Sequence, residues 1–372
     1  MIYLDNSATT KVLDCALNAA VDAMTENFGN PAAVHSFGKK ANDILENARK
    51  DIMAALNVKK GTLVFTSGGT ESINWAISFA ADKNKHKGKH IVSTKIEHAA
   101  TLETLKALTM KGYEVTLVEP ERDGSVSIDK IKSAIREDTI LLSIMAVCNE
   151  TGAVLPYLEA AKYMKQMNKD AFVHVDGVQG FMKIDMPLDN VDFLSISAHK
   201  IGGVKGIGAL YIRDGVKITP MLHGGYQDMG LRSGTQAVPQ MAAFGAAAKY
   251  HAEHFAEGTA HMDEVRRYCI ERLSEIEGST VAVSENQAPH IVNVGFKKGR
   301  SEVIIRVLSD KGIYVSGGSA CAKGKKSHVL LAMNRDPKAI DSSLRISLSE
   351  ENTKEEIDVF IDTLKMAMKM FR

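Results

Sequence analysis

From residue 62 to about 213 the chain alternates short apolar runs with longer segments of helical spacing. The runs 63–65, 90–93, 114–118, 140–145, 172–175, 193–196 and 209–212 have strand length and strand composition. Between them, 71–81, 99–111, 128–136 and 157–167 repeat apolar residues at three- and four-residue intervals, so each reads as a helix. Alternation of this kind predicts an α/β domain around a mostly parallel sheet of seven strands. The last two strands are joined only by the Gly-rich stretch 201–208, too short for a helical crossover, so one antiparallel strand is expected there. A long helical stretch, 237–276, leads out of this pattern. Strands at 291–294, 313–315 and 344–347, with helices at 301–309, 327–332 and 354–370, then predict a smaller α+β domain.

Composition narrows the class. The chain has 372 residues, 45% hydrophobic and 24% charged, with 46 Lys+Arg against 45 Asp+Glu. Such a balance gives no field that would favour nucleic acid or a membrane surface. No apolar run reaches membrane-spanning length, and the first residues carry no leader pattern. The basic cluster 83–89 reads as a solvated loop. Cys15, Cys148, Cys269 and Cys321 are scattered without metal or disulfide spacing, which fits a reducing, cytoplasmic setting and predicts no metal site. The first three sit in apolar or helical surroundings and read as packing residues.

The chemistry concentrates at strand ends. The run Ala171-Phe172-Val173-His174-Val175-Asp176 closes on an acid, and Lys200 follows the next run in Ser197-Ala198-His199-Lys200. Two neighbouring strands thus offer a carboxylate and an amine. Pyridoxal phosphate chemistry needs that pair: the amine forms a Schiff base, and the acid keeps the pyridine nitrogen protonated. Thr66-Ser67-Gly68-Gly69-Thr70-Glu71-Ser72 lies between a strand and a helix, where backbone N–H groups and the helix N-terminus suit a phosphate. Read alone, it is a helix start capped by Thr70 or Ser67. His98 follows a strand at the edge where α/β sheets bind ligands; it is either a ring that stacks on the cofactor or a helix cap. Asn149 and Gln179 stand just beyond strands and offer neutral polar groups. Cys321 lies in Gly317-Gly318-Ser319-Ala320-Cys321-Ala322-Lys323-Gly324-Lys325-Lys326, where cations favour the thiolate. Arg345, inside an apolar strand, calls for a carboxylate partner, either a structural Asp or Glu or a substrate.

Together these segments resemble the cysteine desulfurase family, fold-type-I pyridoxal phosphate enzymes of the class V aminotransferase group. The likeness also takes in Tyr3-Leu4-Asp5-Asn6-Ser7-Ala8-Thr9-Thr10, Phe28-Gly29-Asn30-Pro31, Glu97-His98, Asn149-Glu150-Thr151-Gly152 and Leu231-Arg232-Ser233-Gly234-Thr235. It implies that Lys200 carries pyridoxal 5'-phosphate, Asp176 pairs with the ring nitrogen, His98 stacks on the ring, and Gln179 meets the ring hydroxyl. It further implies that Gly69, Thr70, Ser197 and His199 hold the phosphate, joined by Thr235 from a partner subunit. Asn149 and Arg345 would hold the carboxylate of L-cysteine, and Cys321 would take its sulfur as a persulfide for an acceptor protein, an iron–sulfur scaffold or a tRNA-thiolation enzyme. A homodimer is implied, and the N-terminal segment is expected to pack with the small domain. The expected division is 15–250 for the cofactor domain and 1–14 with 251–372 for the small one.

Three departures from the family stand out. The segment after Cys321 is short and basic, the chain stops at Met370-Phe371-Arg372 without a docking tail, and Gly203-Val204-Lys205 replaces a proline-containing turn. The first two leave the acceptor open. Selenocysteine lyase, a transaminase or a non-catalytic sulfur-relay scaffold are the alternative readings.

Overall fold

The computed structural model describes residues 1–317 and 326–371. Its strands are β1 (Ile2–Tyr3), β2 (Thr62–Thr66), β3 (His90–Thr94), β4 (Glu114–Val118), β5 (Thr139–Met145), β6 (Phe172–Asp176), β7 (Phe193–Ser197) and β8 (Gly208–Ile212), then β9 (Ser279–Ala282), β10 (Ile291–Phe296), β11 (Ile313–Tyr314), β12 (Ser316–Gly317) and β13 (Leu344–Ser347). Seven form one sheet in the order β2-β8-β7-β6-β5-β3-β4. All neighbours are parallel except β8, which runs against both β2 and β7. The short connection 201–208 therefore does reverse the chain. Strands β3, β5, β7 and β8 are buried along their whole length, as expected where helices cover both faces of a sheet.

Helices Gly69–Asn84 and Ala99–Thr109 lie on one face, over a core that includes Ile73, Ile77, Leu105 and Phe193. The other face packs Val173, Val175, Leu194 and Ile196 against helices such as Ser36–Ala55 and Val238–Glu253, through Leu45, Ile52 and Phe244. The helical stretch expected over 237–276 is in fact two helices, Val238–Glu253 and Phe255–Ser274, broken at His254, whose backbone leaves helical geometry. Three helices were not anticipated: the five-residue Pro337–Asp341 and two long ones. Asp14–Thr25 buries Ala16, Ala20 and Ala23 while Leu17, Val21 and Met24 face solvent. Ser36–Ala55 buries Ala41, Leu45, Ala48 and Ile52.

A second sheet, β12-β13-β10-β9, is antiparallel throughout. Of the run expected at 313–315, only Ile313–Tyr314 forms a strand, β11, which pairs with β1 outside this sheet; the strand that joins the sheet, β12, lies just beyond it. The pairs Ile2↔Ile313 and Tyr3↔Tyr314 place the N-terminus beside the C-terminal third, and Leu4 joins the core built by Val265, Phe296, Ile346 and Phe360. Helix His328–Ala332 packs instead on the large core through Val329 and Leu330. Cys148 and Cys269 are buried, and burial pushes their thiols to about 11 and about 12. Cys15 is exposed, so it is not the packing residue its helical setting implied. No described helix is long and apolar enough to cross a membrane.

Candidate active site

Adjacent parallel strands β6 and β7 bring Asp176 opposite Ser195. Lys200 follows in the single turn Ala198–Lys200 that starts where β7 stops. Asp176 is buried, and one of its oxygens accepts the Val178 N–H at 3.0 Å. Burial raises its pKa; the Val178 N–H and the fields of His98 and Lys200 oppose that rise. Lys200 Nζ donates to the backbone carbonyls of Ser7 at 2.6 Å and Ala8 at 3.0 Å. The N-terminal turn therefore forms one wall of the cleft.

His98 sits just past the carboxyl end of β3 and heads helix Ala99–Thr109, where its Nδ1 accepts the Ala100 N–H at 3.1 Å. The capping role is thus real, and it leaves Nε2 outside the cap. The ring reaches solvent, yet the surrounding protein lowers its pKa, helped by Lys200 and His328 and opposed by Asp176. His98, Asp176 and Lys200 feel one another's charge, as the strand-end argument requires.

The Gly-rich loop follows β2. Neither Thr70 nor Ser67 caps the next helix: the N-cap is Gly68, and no side chain covers it. Ser67 instead donates its N–H to Glu71 Oε2 at 2.7 Å, while Glu71 Oε1 accepts from Arg232 Nε at 3.0 Å. A 16-residue helix therefore opens into the cleft with an uncovered N-terminus. The close fit around it explains two glycines. A Cβ on Gly69 would lie 2.7 Å from Val178 Cγ2, and one on Gly208 would lie 2.6 Å from the Ile196 carbonyl and 2.7 Å from Gly68 Cα. Ser197 is buried at the end of β7. His199 bonds Thr9 Oγ1 through Nδ1 at 3.3 Å and is pushed down to about 4 by burial and by Lys200 and Lys205, so it is a neutral ring. Thr235 is exposed and makes no hydrogen bond to Gly69, Thr70, Ser197 or His199 within its own chain; Arg232 alone ties its segment to this loop.

On the opposite wall, Arg345 of β13 is buried, with its Nη2 on Asp5 at 2.9 Å and its Nη1 on the Asn149 carbonyl at 3.0 Å. Of the two partners open to it, the structural carboxylate is present. Its Nε is buried with no partner among the described residues. Gln179 donates to the Ser7 carbonyl at 2.9 Å and accepts from His290 Nε2 at 3.3 Å. Cys321, Lys323 and Lys325 lie outside the described residues. Lys326, the third cation of that loop, pairs with Asp341 at 2.8 Å.

Sequence reasoning passed over Glu97, Glu150, Asp5 and His290. Glu97 is fully buried: its Oε1 accepts Thr94 Oγ1 at 2.8 Å and the Met145 N–H at 3.0 Å, and burial pushes it up to about 8. Glu150 accepts the Ser327 hydroxyl and is pushed up to about 7 by burial. Glu97 and Glu150 each follow an expected strand within a few residues, at the ligand-binding edge, which was the available signal. Nothing local marks His290.

The donor set suits pyridoxal phosphate. A buried acid with one oxygen uncommitted among the described residues, an amine on the next strand and an uncovered helix N-terminus meet at one sheet edge. A mostly parallel sheet with these groups at its carboxyl edge defines a fold-type-I pyridoxal phosphate enzyme. Comparison with known proteins narrows this further. The pattern for "Aminotransferase class-V" matches residues 2–360. Cysteine desulfurase IscS of Methanosarcina thermophila is 40% identical over 376 residues, spanning 100% of this chain and 93% of the relative. Cysteine desulfurase IscS 1 of Archaeoglobus fulgidus is 36% identical, with 100% and 98% covered. A solved NifS-like protein superposes with a TM-score of 0.93 at 38% identity, covering both chains fully. The chain belongs to the class-V aminotransferase family, and within it to the pyridoxal phosphate-dependent cysteine desulfurases.

Proposed function

We propose that the protein desulfurates L-cysteine to L-alanine and carries the sulfur on Cys321. The observation that carries this reading is the meeting of Lys200, Asp176 and His98 at one strand edge, opposite Arg345. Lys200 would hold pyridoxal phosphate, with Asp176 on the ring nitrogen, His98 against the ring, Gln179 at its hydroxyl, and Gly69, Thr70, Ser197 and His199 around the phosphate. The bound cofactor supplies an electron sink that weakens the bonds at the substrate's Cα. Arg345 and Asn149 orient the substrate carboxylate; the bare Nε of Arg345 and its existing carboxylate contact support that role. The Lys200 amine moves the Cα proton, and neutral His98 holds a proton at Nε2 beside it. The Cys321 thiolate attacks the substrate sulfur. The Cβ–S bond breaks, a sulfur–sulfur bond forms, Cβ gains a proton and is reduced to methyl, and the two sulfurs are oxidised to a persulfide. An acceptor protein then takes the sulfur, either an iron–sulfur scaffold, in keeping with the IscS relatives, or a tRNA-thiolation enzyme.

Residues 15–250 would act as the cofactor-binding unit, and 1–14 with 251–372 as the smaller one that carries the Cys321 segment. A cytoplasmic homodimer completes the reading. The exposed stripe Leu17, Val21 and Met24 offers an apolar face for a second copy, and the exposure of Thr235 supports a role in the neighbour's phosphate site. Borohydride should fix the cofactor to Lys200, and Cys321→Ser should bind L-cysteine yet release neither alanine nor sulfide. Fixation on another lysine, or full turnover by Cys321→Ser, would overturn the assignment. Mixed dimers of Lys200→Ala and Thr235→Ala chains should regain one intact site; failure to do so, with exchange shown, removes the shared site.

A further inference from the structure

We propose that His290 is a positioning residue that fixes the Gln179 side-chain amide in one orientation, so that a bound cofactor's ring oxygen meets an N–H and never a carbonyl. This rests on the cofactor reading above and adds a residue to it.

Gln179 and His290 are both buried, the ring only 2% exposed. A buried glutamine amide has two orientations that differ by exchanging oxygen and nitrogen. Here one end of the amide stands 2.9 Å from the Ser7 carbonyl oxygen, which accepts only from a donor, so that end is Nε2. The same carbonyl already accepts from Lys200 Nζ at 2.6 Å, so the amide lies one acceptor away from the reactive amine. The other end, Oε1, then needs a donor, and His290 Nε2 stands 3.3 Å from it. The His290 tautomer is thereby set, with the proton on Nε2 and a bare Nδ1.

Three observations show that this tautomer is held against a cost. First, His290 Nδ1 is buried with no partner among the described residues. Buried ring nitrogens elsewhere in the chain are paired: both nitrogens of His174 meet serine hydroxyls. Second, Lys183, Arg345 and Lys200 surround the ring; with burial they keep it neutral, so Nδ1 is not protonated. Third, the opposite tautomer would set the Nε2 lone pair against Oε1 and leave an N–H at Nδ1 unanswered. The arrangement therefore spends one hydrogen-bonding valence of His290 to commit Gln179 Oε1, leaving the second N–H of Nε2 for the cleft.

A donor at the ring oxygen favours its ionised form. The pH at which the visible band of the Lys200-bound cofactor changes therefore depends on His290, although His290 is separated from the ring by Gln179. The other charged or titrating groups facing this region are Asp176, His98 and His199 around the cleft, with Lys183 and Arg345 around His290 and Glu350 near Lys183. The variants below leave all of them in place.

The test titrates the visible absorption of the holoenzyme without substrate. His290→Ala should raise the midpoint by about half a pH unit to one unit, the equivalent of one net hydrogen bond. His290→Asn, which restores a side-chain N–H, should bring it back toward the wild-type value. Gln179→Ala should raise it as well, and His290→Ala with Gln179→Ala should match Gln179→Ala alone, because one residue acts through the other. If His290→Ala does not fold, His290→Phe fills the space without the N–H and takes its place. An unmoved midpoint in a folded variant, or shifts that simply add in the double variant, overturns the inference. Absence of any visible band in the wild-type protein removes the cofactor reading and this inference with it. A normal band that ignores His290 removes the inference alone.

Discussion

Two histidines of the large sheet and a set of polar groups around its carboxyl edge are buried to a similar depth and are satisfied in opposite ways. His90, at the amino end of β3, bonds Thr139 at 2.7 Å and Thr116 at 2.8 Å, and His174, midway along β6, bonds Ser143 and Ser195 at 2.9 Å each. Every ring nitrogen there has a hydroxyl. At the edge, Glu97 Oε2, His290 Nδ1, Arg345 Nε and Ser7 Oγ are buried without a partner among the described residues. Folded proteins pair nearly all buried polar atoms, because an unmade hydrogen bond costs about 1–3 kcal/mol. A closed network is therefore scaffold, and a cluster of open valences marks where the chain has been shaped for something other than its own stability.

The sharpest way to break this contrast is at Lys200. Lys200→Ala should leave a folded, colourless protein with no desulfurase activity, read by absorption and alanine release; a yellow, active variant would undo the site. His174→Leu should do the reverse. Leaving Ser143 and Ser195 unpaired should cost about 1–3 kcal/mol for each hydroxyl in urea unfolding, while the cofactor band stays put. A shifted band would mean that the middle of the sheet is not mere scaffold.

Acid and base should separate the regions next. Glu97 titrates near 8 in the folded chain, against about 4.3 when unfolded. Over that window the unfolded chain has lost a proton the folded one keeps, so this group makes stability fall as pH rises, by up to about 1.4 kcal/mol per unit. Glu97→Gln, which keeps the acceptor for Thr94 and Met145, should flatten the slope between pH 5 and 8; an unchanged slope would show that Glu97 does not titrate there. His174, held down to about 3, has the opposite sign. Its contribution is present above about 6.5 and is lost as pH falls below it, and His174→Leu should remove that acid limb. The smallest effect belongs to the surface. Lys85→Ala breaks an exposed pair with Asp82 that solvent screens, and should leave both the urea midpoint and the site unchanged.

Much of this was legible before any coordinates. The reversed strand β8 followed from the shortness of 201–208, and the strand-end pair Asp176 and Lys200 from two apolar runs that stop at polar residues. Helix Asp14–Thr25 was hidden because its hydrophobic pattern is inverted: small alanines face the core, and the large apolar residues face out. Helix Ser36–Ala55 carried a readable signal in the spacing of Ala41, Leu45, Ala48 and Ile52. The break at His254 had no proline or glycine to announce it. His290 and Asp5 were beyond reach for another reason. Their partners, Gln179 and Arg345, lie 111 and 340 residues away, and no local pattern encodes a meeting over that span.

The Asp5–Arg345 pair also has a meaning for the making of the protein. Asp5 leaves the ribosome 340 residues ahead of the arginine it will hold. Strand β1 likewise waits for β11. The seven strands of the large sheet are complete by Ile212, so that sheet has all its strands while the nascent chain still lacks the opposite wall of its cleft. Competence therefore arrives only once β13 has been made, and a chain cut short before β13 would hold the complete large sheet and an unfinished site.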